Sequence, residues 1–182
     1  MRLLNHPSYA VILPAVSNGL KVHNCYVEQL DLPGKFDVVV LRHILEYLEH
    51  PSVIISSVRR LLKEGGVILT IVPNIDSIGR KIFGRHWEWV LPWHCNFFTP
   101  RSIIQLTKSC GFTPVSTFQS PSPLYYGESL GRALKSTALE SFFTKYRLAS
   151  SLLAIPLTFS GIISGKGDNI TVIARKTEQD SF

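Results

Sequence analysis

The chain has 182 residues, a hydrophobic share of 45% and a net charge of +6, with a sequence pI near 9.4. That length suits one domain, and that hydrophobic share is ordinary for a globular core. The three cysteines, Cys25, Cys95 and Cys110, lie far apart with no CxxC pair, which argues against a secreted disulfide scaffold and for a reducing cytoplasm.

The excess of basic residues favours anionic partners such as nucleotides, phosphosugars or an acidic lipid surface; the alternative is a set of solvated side chains with no specific partner. No nucleic-acid partner is expected. The opening residues MRLLNHPSYAVILPAV do not read as a signal peptide.

Along the first thirty residues, Ser8 to Asn18 is partly apolar and ends in Asn18-Gly19, a turn signal. Leu20 to Cys25 reads as a short strand, and Glu28 to Gly34 as a polar, turn-like connection. The stretch FDVVVLRHILEYLEHPSVIISSVRRLLKEGGVILTIVPN, residues 36 to 74, is the most ordered in pattern. Phe36 to Leu41 reads as a strand with Val38, Val39 and Val40 in an unbroken β-branched row, the signature of a strand buried on both faces, and Val67 to Val72 has the same character. Between them Pro51 starts a helix with apolar residues on one side, and Gly65-Gly66 is expected to end it. The order strand, crossover helix, strand is a βαβ unit.

After the second strand, Asp76-Ser77 can cap a short helix over Ile78 to Phe83. Trp87, Trp89 and Trp93 then fall within seven residues, in a loop of the kind that more often lines a pocket than fills a core. Thr99 caps a helix that starts at Pro100 and is ended by Gly111. A strand follows near 113–118.

Residues 120–166 depart from this alternation and read as a helical insertion. Arg132 to Tyr146 suggests one amphipathic helix. Leu148 to Gly165 carries no charge over about eighteen residues, the lower limit for a membrane span. Pro156, the hydroxyl residues and the glycines favour a short helical hairpin instead. It would pack internally, against another copy or on a membrane surface. Asn169 to Arg175 is a last strand, and the tail TEQDSF is expected to be disordered.

The motifs FDVVVLRHILEYLEHP and LLKEGGVILTIVPN resemble the second half of a class I S-adenosylmethionine-dependent methyltransferase domain. The likeness extends through NIDSIGRKIFGRHWEWVLPWHCNFFTPRSIIQLTKSCGF. There it is similar to a branch whose members often act on sugars, lipids or quinone precursors. Glu64 stands where the family usually has proline. The resemblance implies an α/β fold, a three-layer α/β/α Rossmann-like sheet, with the last strand antiparallel beside the family's fifth.

It also implies S-adenosyl-L-methionine as cofactor. The family's glycine-rich first loop has no counterpart, because the chain holds no GxGxG. Asn5 stands at the usual ribose-binding acidic position, and Pro14 falls inside the helix that should follow, where it costs about 3 kcal/mol. The chain therefore reads as an N-terminally truncated domain over 1–182, whose missing central strand would leave unpaired edges. Alternatively Ala10 to Val16 takes that place, against the objection of Pro14.

For cofactor contact the resemblance points to Tyr26, Val27 and Glu28 at the adenine and to Leu41, Arg42 and His43 at the sulfonium. Tyr26 stands where an aspartate is usual; it would stack on the base or merely pack on the sheet. The acceptor side would be formed by Trp89, Trp93, His94 and Asn96. His43 and His94 are the catalytic candidates. A histidine suits an oxygen nucleophile because its pKa lies near neutrality; His94 is equally open to being a loop histidine bonded to backbone.

His43, Glu46 and His50 would share a helical face, but their spacing is not that of a metalloprotease motif and no metal is expected. The partner implied is a small-molecule acceptor. A remnant or partner subunit without catalysis is the second reading, and an unrelated dinucleotide enzyme finds no fingerprint.

Overall fold

A computed structural model describes residues 25–177, together with residues 19, 21 and 23. Asn5, Pro14, the 8–18 and 10–16 stretches and most of the tail lie outside the described residues, as do Leu20, Val22 and Asn24 of the expected first strand. Lys21, His23 and Cys25 are described and belong to no strand.

The βαβ unit forms as its pattern demands. Strand β1, Phe36–Arg42, leads through helix α1, Pro51–Leu61, to strand β2, Leu62–Pro73. β1 and β2 pair in parallel from Val38 with Val67 to Arg42 with Ile71. Pro51 opens α1 because a residue without N–H is tolerated in a first turn. α1 buries Ile54, Ile55, Val58 and Leu61, the stripe set by three- and four-residue spacing. The helix stops earlier than the glycine pair suggested. Leu62 is already extended and pairs with Phe36, and Gly65, at φ +69°, lies inside an irregular start of β2.

Ser77 caps α2, Ile78–Phe83, accepting from the Arg80 N–H at 3.0 Å. Thr99 caps α3, Pro100–Ser109, accepting from the Ser102 N–H. β3, Phe112–Ser120, and β4, Asn169–Lys176, complete a sheet of order β1-β2-β4-β3 among the described residues. β4 is antiparallel to both neighbours, as expected beside β2. This mixed sheet with flanking helices is of the α/β Rossmann-like class.

The core lies under α1 and α3, where Leu41, Ile68, Val72, Ile170, Val172 and Phe112 join the two helices. The opposite face corrects the sequence reading. Val38 and Val40 are each 54% exposed, whereas Leu41 is buried. β1 is an edge strand among the described residues, and its second face carries little packing, so a β-branched run is not here a doubly buried strand.

Between β3 and β4 lies a set of short helices. The expected single helix over Arg132 to Tyr146 is two, α4 (Tyr126–Ala133) and α5 (Thr137–Lys145). Lys135 breaks them at φ +53°, and Ser136 caps the second. Gly131 lets the pair close up, since a Cβ there would sit 2.7 Å from the Glu140 backbone nitrogen. α6 (Arg147–Leu153) and α7 (Ile155–Ile163) follow. Among the described residues no helix is long and apolar enough to cross a membrane.

Candidate functional site

β1 and β2 are parallel, so the loops that follow them leave the same edge of the sheet, where open α/β folds bind ligands. The first loop begins at His43, whose N–H still donates to the Ile71 carbonyl at 2.9 Å. His43 then takes φ +50°, an uncommon value for a residue with a side chain, and turns the chain into a 3-10 segment over Leu45–Tyr47. The face-sharing helix considered for His43, Glu46 and His50 is therefore absent, because the α-helix starts only at Pro51.

The second loop is laced to the first. The N–H groups of Cys95 and Asn96 both donate to the Glu46 carbonyl, at 2.7 and 3.1 Å. The Asn96 side-chain amide donates to the carbonyls of Leu48 and Leu45. At the root of this loop Asn74 is buried, and its amide donates to Gln119 and to the Gly167 carbonyl.

These ties bring His43, Trp89 and His94 together. The His43 ring stacks on the Trp89 indole, and its Nδ1 lies 3.2 Å from Glu46 Oε1. His94 Nδ1 lies 2.9 Å from the Trp89 carbonyl oxygen. A carbonyl only accepts, so Nδ1 carries the proton and Nε2 holds a lone pair. That Nε2 is buried and has no hydrogen-bond partner among the described residues. Burial holds the His94 pKa below the ordinary histidine value, His43 adds to this and Glu46 opposes it. Tyr47 meets the His94 ring edge-on with centroids 4.7 Å apart. Tyr125 meets Trp89 in the same manner at 5.6 Å.

The other expected residues are placed differently. Trp93 is 59% exposed, whereas Trp87 is 1% exposed and belongs to the packing rather than to a pocket wall. Leu41 points into the core and Arg42 is exposed. Val27 is buried beside α1, in a 3-10 turn over Val27–Gln29, and Tyr26 and Glu28 flank it at the surface. The Glu28 carbonyl accepts from Arg60, near the end of α1. The segment is thus anchored to the helix, while His43 is anchored to the second loop.

Several polar groups escaped sequence reading. Glu46 is fully buried, although the sequence suggests for it only a metal-ligand role. Next to Trp89, Glu88 is buried beside Glu128; desolvation first and the Glu128 charge second push its pKa up to about 9, against Arg132 and Arg147. Asp168 is fully buried, accepts from the Tyr126 hydroxyl and the Ser122 N–H, and is pushed up chiefly by burial. Nothing in the sequence marks Glu88 and Asp168, because partners such as Glu128, Ser122 and Tyr126 come from residues 120–166. Among the described residues no group of three or more His, Cys, Asp or Glu is arranged to hold a metal ion.

The fold and this edge define a methyltransferase-type domain. Residues 7–117 match a family described as a methyltransferase domain, and the chain belongs to that family. Over 115 residues it is 31% identical to the ubiquinone biosynthesis O-methyltransferase of Cereibacter sphaeroides, covering 57% of this chain and 46% of that protein. The chain thus spans about half the length of the curated relatives it matches first.

Its fold is similar to an S-adenosylmethionine-dependent methyltransferase of Thermotoga maritima. The TM-score is 0.62 at 16% identity, over 94% of this chain and 72% of that one. It is also similar to the Burkholderia thailandensis 1,6-didemethyltoxoflavin-N1-methyltransferase with bound S-adenosylhomocysteine. There the TM-score is 0.55 at 15% identity, over 96% of this chain and 59% of that one.

Proposed function

We propose that this chain supplies the acceptor side of a methyltransferase that moves a methyl group from S-adenosyl-L-methionine to a small hydroxylated acceptor of the quinone-like or lipid-linked kind. The observation that carries this reading is the free, buried Nε2 of His94, fixed as a proton acceptor by the Nδ1 contact to Trp89. The likeness to a ubiquinone biosynthesis O-methyltransferase supports the acceptor class. When bound, the cofactor presents an electrophilic methyl on a sulfonium.

The chain's own residues align the acceptor and take up its proton. Methyl transfer is a displacement at carbon, so alignment is the larger requirement. Trp89 and Tyr125 offer apolar walls, and His43, held by Glu46 and the indole, offers Nε2 as a second polar contact. His94 removes the hydroxyl proton as the new bond forms.

The residues at the end of β1 fit contact with the methyl-bearing end of the cofactor: His43 turns the backbone outward at a positive φ, with Arg42 exposed beside it. Tyr26 and Glu28 fit less well: both are at the surface, and the Glu28 backbone is tied to α1 through Arg60. No GxGxG cradle stands in the sequence, which supports weak cofactor binding by this chain alone and, as the second reading, a non-catalytic partner role. Incubation with methyl-labelled S-adenosylmethionine and a panel of catechols, hydroxyquinols and sugars tests the proposal. Slow labelling of a phenolic ether, only at cofactor concentrations far above micromolar, is expected; label in none of them at those concentrations favours the non-catalytic role.

A further inference from the structure

The helical insertion is built inside out. Ala154 joins α6 to α7 in helical conformation, with its N–H bonded to the Ser150 carbonyl at 3.0 Å and its carbonyl accepting from Thr158 at 2.8 Å. The two therefore act as one helix with Pro156 near the joint. The side facing the body carries the small residues Ser150, Ala154 and Gly161, all buried. The outward side carries Leu148, Leu152, Ile155, Phe159, Ile162 and Ile163, each between 48% and 83% exposed. Their spacing of four and three residues places them on one stripe. Scattered exposed leucines need no explanation, whereas a continuous stripe of this length marks an interaction surface. A hollow of about 600 Å³ beside Phe142, Tyr146 and Leu152 opens at the same end.

Charge decides between occupants. Residues 141–167 contain Lys145, Arg147 and Lys166 and no aspartate or glutamate. Lys145 and Arg147 sit over the rings of Tyr146 and Tyr125, at 5.3 and 4.8 Å. Arg147 also lies 3.8 Å from Glu128. At the other end Lys166 is crowded by Lys81, which itself contacts Asp76 at 3.3 Å. A second copy laid along this stripe would bring cationic ends together or leave them unmatched, and residues flanking the stripe such as Ser151 and Thr158 offer it no ion pairs. An anionic lipid surface accepts both features, aliphatic groups at the acyl boundary and cations at the headgroups.

We infer that α6 and α7 lie along an anionic membrane surface, with the Leu148 to Ile163 stripe inserted and Lys145, Arg147 and Lys166 at the headgroup level. The stripe lies apart from the His94 cluster, meeting its surroundings only where Arg147 sits over Tyr125, and the inference does not depend on the methyl-transfer reading. The test is co-sedimentation of the full chain with vesicles of phosphatidylcholine alone and of phosphatidylcholine mixed with phosphatidylglycerol, over a salt series.

Binding to the anionic vesicles, weakened by salt and much lower on the neutral ones, is expected. Leu152→Glu with Phe159→Glu should abolish it, and Lys145→Glu with Lys166→Glu should weaken it at least about tenfold. Leu152, Phe159 and Lys145 are exposed and Lys166 is half-buried, and circular dichroism with thermal melts verifies folding. Equal binding to both vesicle types, or absence from both, overturns the inference. So does a dimer that the Leu152→Glu/Phe159→Glu variant converts to monomer while vesicles bind neither form.

Discussion

The His43 imidazole lies flat on the Trp89 indole, with centroids 4.6 Å apart and planes 6° from parallel, while its Nδ1 meets the buried Glu46 carboxylate. One ring is thus held by a stack and a side-chain hydrogen bond from two different loops. His43→Ala should strip Glu46 of its side-chain partner and cost about 1–3 kcal/mol, because an unmatched buried acceptor keeps its desolvation penalty. His43→Ala with Glu46→Gln should recover part of that loss in urea melts. A double variant no more stable than the single one would show that the pair does not carry this energy.

His94 is testable by kinetics and pH together. His94→Asn in the active enzyme should lower kcat by roughly 100-fold or more if Nε2 takes the proton. A raised KM with kcat kept would make His94 an anchor, and unchanged kinetics with lower stability would make it a loop histidine. Burial depresses the folded pKa below the ordinary 6.5. The acid limb of kcat/KM should therefore lie below pH 6.5. The neutral ring contributes stability above the unfolded pKa, and that contribution should be lost as pH falls from 6.5 through the lower folded value.

Cofactor binding is expected to be weak in this chain. A ligand raises the melting temperature only by its affinity for the folded state. Titration with S-adenosylmethionine should give little or no rise. A dose-dependent rise of several degrees with micromolar saturation would mean that the residues around β1 suffice.

Glu88 makes a prediction about stability. Its folded pKa, about 9, lies above the ordinary 4.5. Between these values the folded state holds the extra proton, so stability should fall as pH rises, by at most about 1.4 kcal/mol per pH unit from this group. Glu88→Gln removes the titration and should flatten the melting-temperature profile between pH 5 and 8. An equally steep profile in the variant would assign the slope to other groups.

Gly79 is a packing constraint rather than a turn. A Cβ there would lie 2.5 Å from Asp168 Oδ1, 2.7 Å from Tyr126 Cε1 and 2.8 Å from Trp87 Nε1. Gly79→Ala should destabilise by about 1–3 kcal/mol, read as a shift of the urea midpoint, since overpacked cores must move off their rotamers. A helix would otherwise gain from this substitution, so the sign of the shift decides the matter.

Local chemistry was legible in the residues themselves. Ser77, Thr99 and Pro51 set helix starts, Gly111 set a stop at φ +79°, and the β-branched runs of β1 and β2 announced parallel strands. These depend on neighbours within a few positions, as the His43 to Tyr47 motif does. The antiparallel β4 was expected from family resemblance, not from its own pattern.

What the tertiary structure alone decided depends on residues far apart in the chain. Val38 and Val40 look like core valines but are exposed, because burial depends on what covers a strand and not on its side chains. Lys135 broke an apparent single helix because the α4–α5 pair closes over Gly131. Glu46, Glu88 and Asp168 are acidic letters whose burial, and for Glu88 and Asp168 a raised pKa, involve partners 40 or more positions away, such as Cys95, Glu128 and Ser122. Desolvation and Coulomb coupling act through space, so no local pattern encodes them.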